Sequence, residues 1–299
     1  MPPFVAIVVA TYRRAPELRR LCASLEKVSV PLALVVVDNA DDPDTEAVVK
    51  ETALEAVRLL PGGNLGCGGG LAFGERAAME RYGDRLTHLW VLDDDTEIDP
   101  AAPECLIAAM AESKAGLACP MIVGDTGAIG WFPGLLERAA FDAIRVARTP
   151  AEYLSRRGGR PVSFSWATGV SLLVSREAFE ALGAHRDDFW IRGEDLEFSL
   201  RYSARFPAIF VPGALVRHLP RPAAESPEAL AAERIKHLAM IRNAAYISFR
   251  LTHGRRIMKN LPGNLWRYFK TWGPGSIPEA LVACWHGAVA GKPAGAKKG

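Results

Sequence analysis

The sequence predicts an α/β fold in which helices flank a mostly parallel, Rossmann-like central sheet. Three observations lead there. Short apolar runs alternate with helical patterns through the first half of the chain. The runs are rich in β-branched residues on both faces, as strands covered from two sides are. Three of them end on polar side chains, where ligands bind in open α/β sheets.

The elements follow in order. Residues 4–10 (FVAIVVA) are a buried strand. Residues 16–27 place Leu18, Leu21, Cys22 and Leu25 on one side of a helix. Residues 32–37 (LALVVV) form a second strand ending at Asp38, 44–52 a short helix and 56–60 a third strand. Gly-rich sequence comes next, then a helix over 71–82. A fourth strand, 88–92 (HLWVL), runs into Asp93, Asp94 and Asp95. Residues 100–113 are helical and 116–121 strand-like. Such alternation implies parallel strands joined by right-handed crossovers. The rhythm then changes. Residues 124–162 are rich in Gly, Pro and Arg and follow neither period. Strands are expected at 170–175 and 208–211, and helices at 176–182, 194–206, 226–251 and 255–270. The tail from 274, ending in GKPAGAKKG, reads as flexible.

At 299 residues, 49% apolar and 23% charged, the chain can bury a sizeable core. A net charge of +2 gives no reason to expect nucleic acid as a partner. Five cysteines, none in a CxxC pair, argue against a disulfide scaffold and a cysteine zinc site. The N-terminal apolar run has its charges after it, the reverse of a secretory signal, and no apolar stretch approaches the ~20 residues that span a bilayer. The expectation is a cytoplasmic protein, either soluble or peripheral at the inner face of the plasma membrane.

Three consecutive aspartates after a buried strand repel one another unless a counter-charge is present. A hard divalent cation such as Mg²⁺ or Mn²⁺ supplies one, and Asp93 and Asp95 share a side if the chain stays extended. The alternatives are a solvated acidic loop, or Asp95 as a helix N-cap near Pro100. The run PGGNLGCGGGLAFG permits positive φ and close backbone approach, and a helix starting near Leu71 would aim N–H groups at an anion. It is not a P-loop, since no Gly-Lys-Ser/Thr follows, and it comes after the third strand rather than the first, unlike a dinucleotide fingerprint. Glu194 and Asp195 open a helix after Gly193. They either serve the helix dipole or supply a general base. A lone His218 follows a short strand.

In this order the segments VVATYRR, VVVDNADD, GGNLGCGGGLAFG, WVLDDDTEI, WATGVSLLVSREAF, FWIRGEDLEFSLR and VPGALVRH resemble family 2 glycosyltransferases of the GT-A fold over residues 4–218. Within that family the pattern is nearest to bacterial rhamnosyl- and galactofuranosyltransferases. The resemblance implies a donor half over 1–122 and an acceptor half over 123–223 of one catalytic domain. It implies donor contacts at Thr11, Arg13, Asp38, Asn64, Gly66, Gly70, Asp93 and Asp94. It implies a metal (Mn²⁺ or Mg²⁺) on Asp93, Asp95 and His218, a catalytic base at Asp195 with Glu194 as its acidic neighbour, and an acceptor pocket at Trp166 and Trp190. Many relatives carry a second asparagine where this chain reads glycine at 68–70. The implied activity is metal-dependent, inverting transfer of a hexose from a UDP- or dTDP-sugar to a glycan or lipid-linked acceptor in cell-surface polysaccharide synthesis. The competing readings are a sugar-1-phosphate nucleotidyltransferase, whose Gly-rich basic signature is missing after the first strand, and a non-catalytic nucleotide- or glycan-binding protein.

Residues 234–272 carry many Lys and Arg, no Asp or Glu, and interleaved aromatics. This suits an anionic membrane surface. The alternatives are a helical appendage with its aromatics packed inward, within a basic region over 224–273, or a contact in an oligomer.

Overall fold

The computed structural model describes residues 2–134, 147–220, 226–251 and 260–289. The first strands form where the β-branched runs lie: β1 (Val5–Thr11), β2 (Leu32–Asp38), β3 (Glu55–Leu59) and β4 (His88–Leu92). They pair in parallel in the order β3-β2-β1-β4. Helices α1 (Ala15–Leu25) and α2 (Pro43–Glu51) connect the first three strands. Leu18, Leu21 and Leu25 are fully buried on α1, as their spacing requires. Asp42 caps α2 by accepting from Asp44 N, with Pro43 in the first turn.

Helix α3 (Gly66–Tyr82) begins five residues earlier than the periodicity predicts. From Gly66 on, the glycine run therefore forms the helix's first turns, and only residues 61–65 remain a loop. Glycine is a poor helix former, so packing has to impose the helix, and the contacts show how. A methyl group built at Gly70 would lie 2.9 Å from Ala10 Cβ, and one at Gly74 2.6 Å from Val8 Cγ1. At Gly66 it would lie 2.1 Å from Trp190 O, and at Gly68 2.0 Å from Phe189 O. The helix thus lies directly on β1 at its second and third turns and on the 186–190 segment at its first.

Beyond β4 the sheet is mixed. β5 (Thr96–Ile98), α4 (Ala102–Ser113), β6 (Leu117–Val123), β7 (Ile129–Trp131), α5 (Pro150–Arg157), β8 (Val162–Ser163), β9 (Ser171–Ser175), α6 (Arg176–Leu182), α7 (Glu194–Ser203) and β10 (Ala208–His218) follow. The order continues β4-β9-β6-β10-β5, with β9 antiparallel to both neighbours and β10 parallel to β6. Two apolar layers cover the sheet. One contains Val8, Val35, Val91, Phe198 and Phe210, the other Ile7, Val36, Trp90, Leu106 and Val216.

The C-terminal helices are α8 (Pro227–Tyr246), continued by a π-turn over Ile247–Leu251, then α9 (Asn260–Trp272) and α10 (Ile277–Val289). The flexible tail expected from 274 is corrected over 277–289. Small residues there (Ala280, Ala283, Gly287) let α10 pack closely on α8. Part of the helix expected over 255–270 lies outside the described residues. In the basic segment Tyr246 and Tyr268 are buried, while Phe249 and Trp266 are exposed. Among the described residues, no helix is long and apolar enough to cross a membrane.

Candidate active site

Parallel register brings three strand ends to one rim. Thr11 pairs with Asp38, and Val8 with Val91, so the residues after β4 rise beside the end of β1. Asp93, Asp94 and Asp95 form the connection into β5. This is a turn and not the extended segment the sequence suggests, with Thr96 Oγ1 donating to Asp93 O at 2.8 Å. Asp95 is no helix cap, since α4 begins at Ala102. Asp94 Oδ2 accepts from Thr11 Oγ1 at 2.7 Å, and Asp94 Oδ1 lies 2.9 Å from Arg14 Nη1. Arg14 Nη2 also reaches Asp95 Oδ2 at 2.6 Å.

His218 arrives from the far end of the chain because β10 pairs antiparallel with β5, setting His218 opposite Thr96. Leu219 N donates to Asp95 O at 2.9 Å. His218 Nε2 stands 3.0 Å from Asp95 Oδ1 and 3.7 Å from Asp93 Oδ2, with Trp131 edge-on at 4.7 Å between centroids. One ligand atom from each of Asp93, Asp95 and His218 fits within 4.8 Å. Despite that approach, buried Asp95 Oδ1 and His218 Nδ1 have no hydrogen-bond partner of good geometry. Two carboxylate oxygens and an imidazole nitrogen, with an oxygen left unsatisfied between them, fit a divalent ion such as Mn²⁺ or Mg²⁺.

The charges respond to this crowding. Burial, then the Asp95 charge, raises Asp93 to about 6. Burial raises Asp94 to about 7 in spite of Arg14 and Thr11. Asp95 also suffers burial, yet His218 and Arg14 hold it below the ordinary carboxylate range. Burial works against the His218 cation too, but Asp95 and Asp93 raise its pKa overall.

A second acidic group lies at the start of α7. Arg192 and Gly193 have φ of 62° and 100°, a left-handed pair that turns the chain into the helix. Asn243 Nδ2 on α8 donates to Ile191 O and Arg192 O at 3.2 and 3.0 Å. Asp195 Oδ2 accepts from Gly169 N at 3.0 Å, and its Oδ1 from Leu196 N at 2.7 Å. The neighbouring Val170 O accepts from Asp93 N at 3.1 Å. Adjacent residues 169 and 170 therefore tie the two acidic groups together, and Gly169 leaves only 3.0 Å between a built methyl and Asp195 Cβ. Glu194 is buried beside Cys67 with Oε2 unpartnered. Burial and then Asp195 push Glu194 up to about 8, and burial raises Asp195 as well.

Asp93, Glu194, Asp195, Cys67 and His185 open on one cavity of about 220 Å³. His185 Nδ1 lies 2.8 Å from Glu75 Oε1, both side chains fully buried, with its ring stacked on Phe198 at 3.9 Å. Trp131 and Thr168 also line a neighbouring cavity of about 670 Å³ that includes Trp166 and Arg148. A hollow of about 430 Å³ at the ends of β1 and β2 is lined by Arg13, Asp41 and Asp42.

Of the residues the sequence singles out, the structure brings together Thr11, Asp93, Asp94, Asp95 and His218, and across the cavity Glu194 and Asp195. Asp38 is occupied differently. It accepts from Ala40 N and Asp42 N and pairs with Arg58 at 2.8 Å. Asn64 Oδ1 accepts from Gly66 N, and Asn39 Oδ1 from Leu65 N, so both stabilise the start of α3. Gly66 and Gly70 are buried packing positions in that helix, a correction to reading them as a loop. Trp190 covers Gly66 and does not share the larger cavity with Trp166. Arg14, Gly169, Cys67 and the Glu75–His185 pair were missed. Arg14 stands next to Arg13 in the sequence, and only the fold shows which of the two turns inward.

The Glycosyl transferase family 2 model matches residues 6–183. An N-acetylglucosaminyl-diphospho-decaprenol L-rhamnosyltransferase of Mycobacterium tuberculosis is 29% identical over 242 residues, covering 73% of this chain and 76% of the relative. A Pyrobaculum calidifontis mannosyltransferase in complex with GDP-Man and Mn²⁺ superposes with TM-score 0.55 at 18% identity, over 97% of this chain and 76% of that one. S. aureus TarS in complex with UDP-GlcNAc superposes with TM-score 0.60 at 15% identity, over 94% and 79%. At these identities the two structures show a shared fold.

Proposed function

The chain belongs to glycosyl transferase family 2, and from that premise we propose an inverting, metal-dependent hexosyltransferase that uses a UDP- or dTDP-sugar. The observation that carries the reading is the single cavity shared by Asp93 and Asp195, with the Asp93, Asp95 and His218 cluster at its edge. The rhamnosyltransferase relative makes rhamnose a candidate sugar and a diphospho-lipid glycan a candidate acceptor. Galactofuranose remains an alternative donor sugar of the same class. The larger cavity around Trp131 and Trp166 is the acceptor side, and the hollow at Arg13 the nucleotide side.

Asp93, Asp95 and His218 would hold a divalent ion, which offsets charge growing on the leaving nucleoside diphosphate. Arg14 and Thr11 fix Asp94 beside the donor. Gly169 N and Leu196 N orient the Asp195 carboxylate. Asp195 takes the proton of an acceptor hydroxyl as that oxygen bonds to C1 and the C1–phosphate oxygen bond breaks. Attack from the face opposite the leaving group inverts the anomeric centre. Alignment of the two substrates supplies much of the acceleration.

The test is thermal stabilisation by UDP and dTDP, with and without Mn²⁺. A ligand at about 100 times its Kd adds about 2.7 kcal/mol. Stabilisation that needs the metal and disappears in Asp93→Asn is the expected result. A shift that persists in Asp93→Asn would remove the metal assignment, and no shift with any nucleotide would favour the non-catalytic reading.

A further inference from the structure

Helix α10 is built inside out. Its inner face carries Ala280, Ala283, Cys284 and Gly287, and a methyl at Gly287 would lie 1.9 Å from Arg242 O. Its large apolar side chains face outward: Ile277 is 38% exposed, Leu281 55%, Val282 53%, Trp285 66% and Val289 46%. Ile277, Leu281, Trp285 and Val289 recur every fourth residue and form one stripe. On the adjoining α9, Trp266 is 69% exposed, with Arg267 and Lys270 exposed beside it. Soluble proteins rarely leave so contiguous an apolar surface without a use for it.

The exposed charges described on α9 beside this face, Arg267 and Lys270, are both basic, and the sequence composition agrees. From residue 252 to the end there are eight Lys and Arg and one acid, Glu279. That acid is already engaged by Arg234 and Tyr268. At 13 residues α10 is too short to cross a bilayer. An apolar stripe carrying Trp285, with Trp266, Arg267 and Lys270 exposed on the adjoining helix, is the pattern of a helix that lies in the headgroup boundary. A second copy of the chain fits less well, because self-association would bring Arg267 and Lys270 of two copies together.

We propose that the α9–α10 face docks on an anionic lipid bilayer. The inference deepens the lipid-linked acceptor class proposed above, on which its purpose rests. Helix α8 joins the face to the site: α10 packs on it, Arg242 reaches Asp188 Oδ2 at 2.9 Å, and Asn243 holds the backbone ahead of Glu194. Docking therefore sets the height of the Asp195 cavity above the membrane.

Flotation of the full chain with phosphatidylcholine vesicles containing about a third phosphatidylglycerol tests this. The wild type is expected to float with these vesicles and much less with pure phosphatidylcholine. Leu281→Ser with Trp285→Ser should cut the floating fraction about tenfold. Arg267→Glu with Lys270→Glu should abolish the preference for anionic lipid. Nucleotide-induced thermal shifts, measured on every variant, show that the fold persists and report on the donor site separately. A wild type that does not float, or a Leu281/Trp285 variant that floats equally well, overturns the proposal. So does a wild-type dimer in sedimentation that this variant makes monomeric without any vesicle binding, which would assign the face to a second copy.

Discussion

Two acidic groups face each other across one cavity, and the fold gives them different partners. Asp94 and Asp95 have Arg14 between them, Thr11 donates to Asp94, and His218 stands against Asp95. Glu194 and Asp195 have no Lys or Arg partner among the described residues; backbone N–H groups steady Asp195, with His185 adding to them. Counter-charges hold Asp95 ionised, which suits a group that holds a cation, although burial still raises Asp93 and Asp94 beside it. With no Lys or Arg beside them, burial raises Glu194 and Asp195, which suits a group that takes a proton. Proximity alone does not assign roles to carboxylates; the company each one keeps does.

The largest expected effect breaks this comparison at its uncompensated side. Asp195→Asn should lower kcat by about 10²–10⁴ while metal-dependent nucleotide binding stays near wild type. Near-normal turnover in a radiolabelled-sugar transfer assay would show that the base lies elsewhere. A smaller effect tests the compensated side. Arg14→Met leaves Asp94 and Asp95 without their shared cation, and since Arg14 is partly exposed the cost should be about 1–2 kcal/mol. Because a divalent ion replaces the missing charge, added Mn²⁺ should narrow that deficit in a urea titration; an unchanged deficit would mean that Arg14 does not neutralise the cluster.

The smallest effect sharpens the contrast through pH. Glu194 holds its proton to about 8, against 4.5 for an unperturbed carboxyl. Between those values the folded chain binds a proton that the unfolded chain has released. The stability linked to Glu194 is thus fully present below about 4.5 and lost as pH rises through about 8. Glu194→Gln cannot ionise, so its stability should fall less than that of the wild type from pH 5 to 9. Parallel curves in chemical denaturation would mean that Glu194 is not raised.

The sequence made some of this legible and hid the rest for physical reasons. β1, β2 and β4 were readable because strands covered on both faces need unbroken β-branched runs, and the polar residues at their ends marked the rim. The short strands β5, β7 and β8 span only two or three residues, too few to display a period. The start of α3 was hidden because glycine carries no amphipathic pattern, so packing alone makes it helical. α10 read as a tail because it has large apolar residues on the outside and small ones within, the reverse of the usual helix. Asp93, Asp95, Asp195 and His218 were visible through motif order. That β10 returns against β5 and sets His218 beside Asp95 depends on register between residues more than 120 positions apart, which no local pattern encodes. Arg14 was passed over for Arg13, whose φ of 55° turns the chain so that consecutive arginines point apart.

The seam of glycines along α3 bears on modularity. The expected division into a donor half and an acceptor half would make the two parts look exchangeable. Here the first turn of α3 lies on the backbone of Phe189 and Trp190, with no room for even one methyl group at Gly66 or Gly68. A chimera that grafts a foreign acceptor half onto residues 1–122 inherits this contact as a lock with one key. Its 186–190 segment must follow the same path, or the helix and the rim it supports shift together. If the larger cavity is the acceptor side, as proposed, substitutions around Trp131, Trp166 and Arg148 have room to change it, whereas the contact of α3 with Phe189 and Trp190 leaves none.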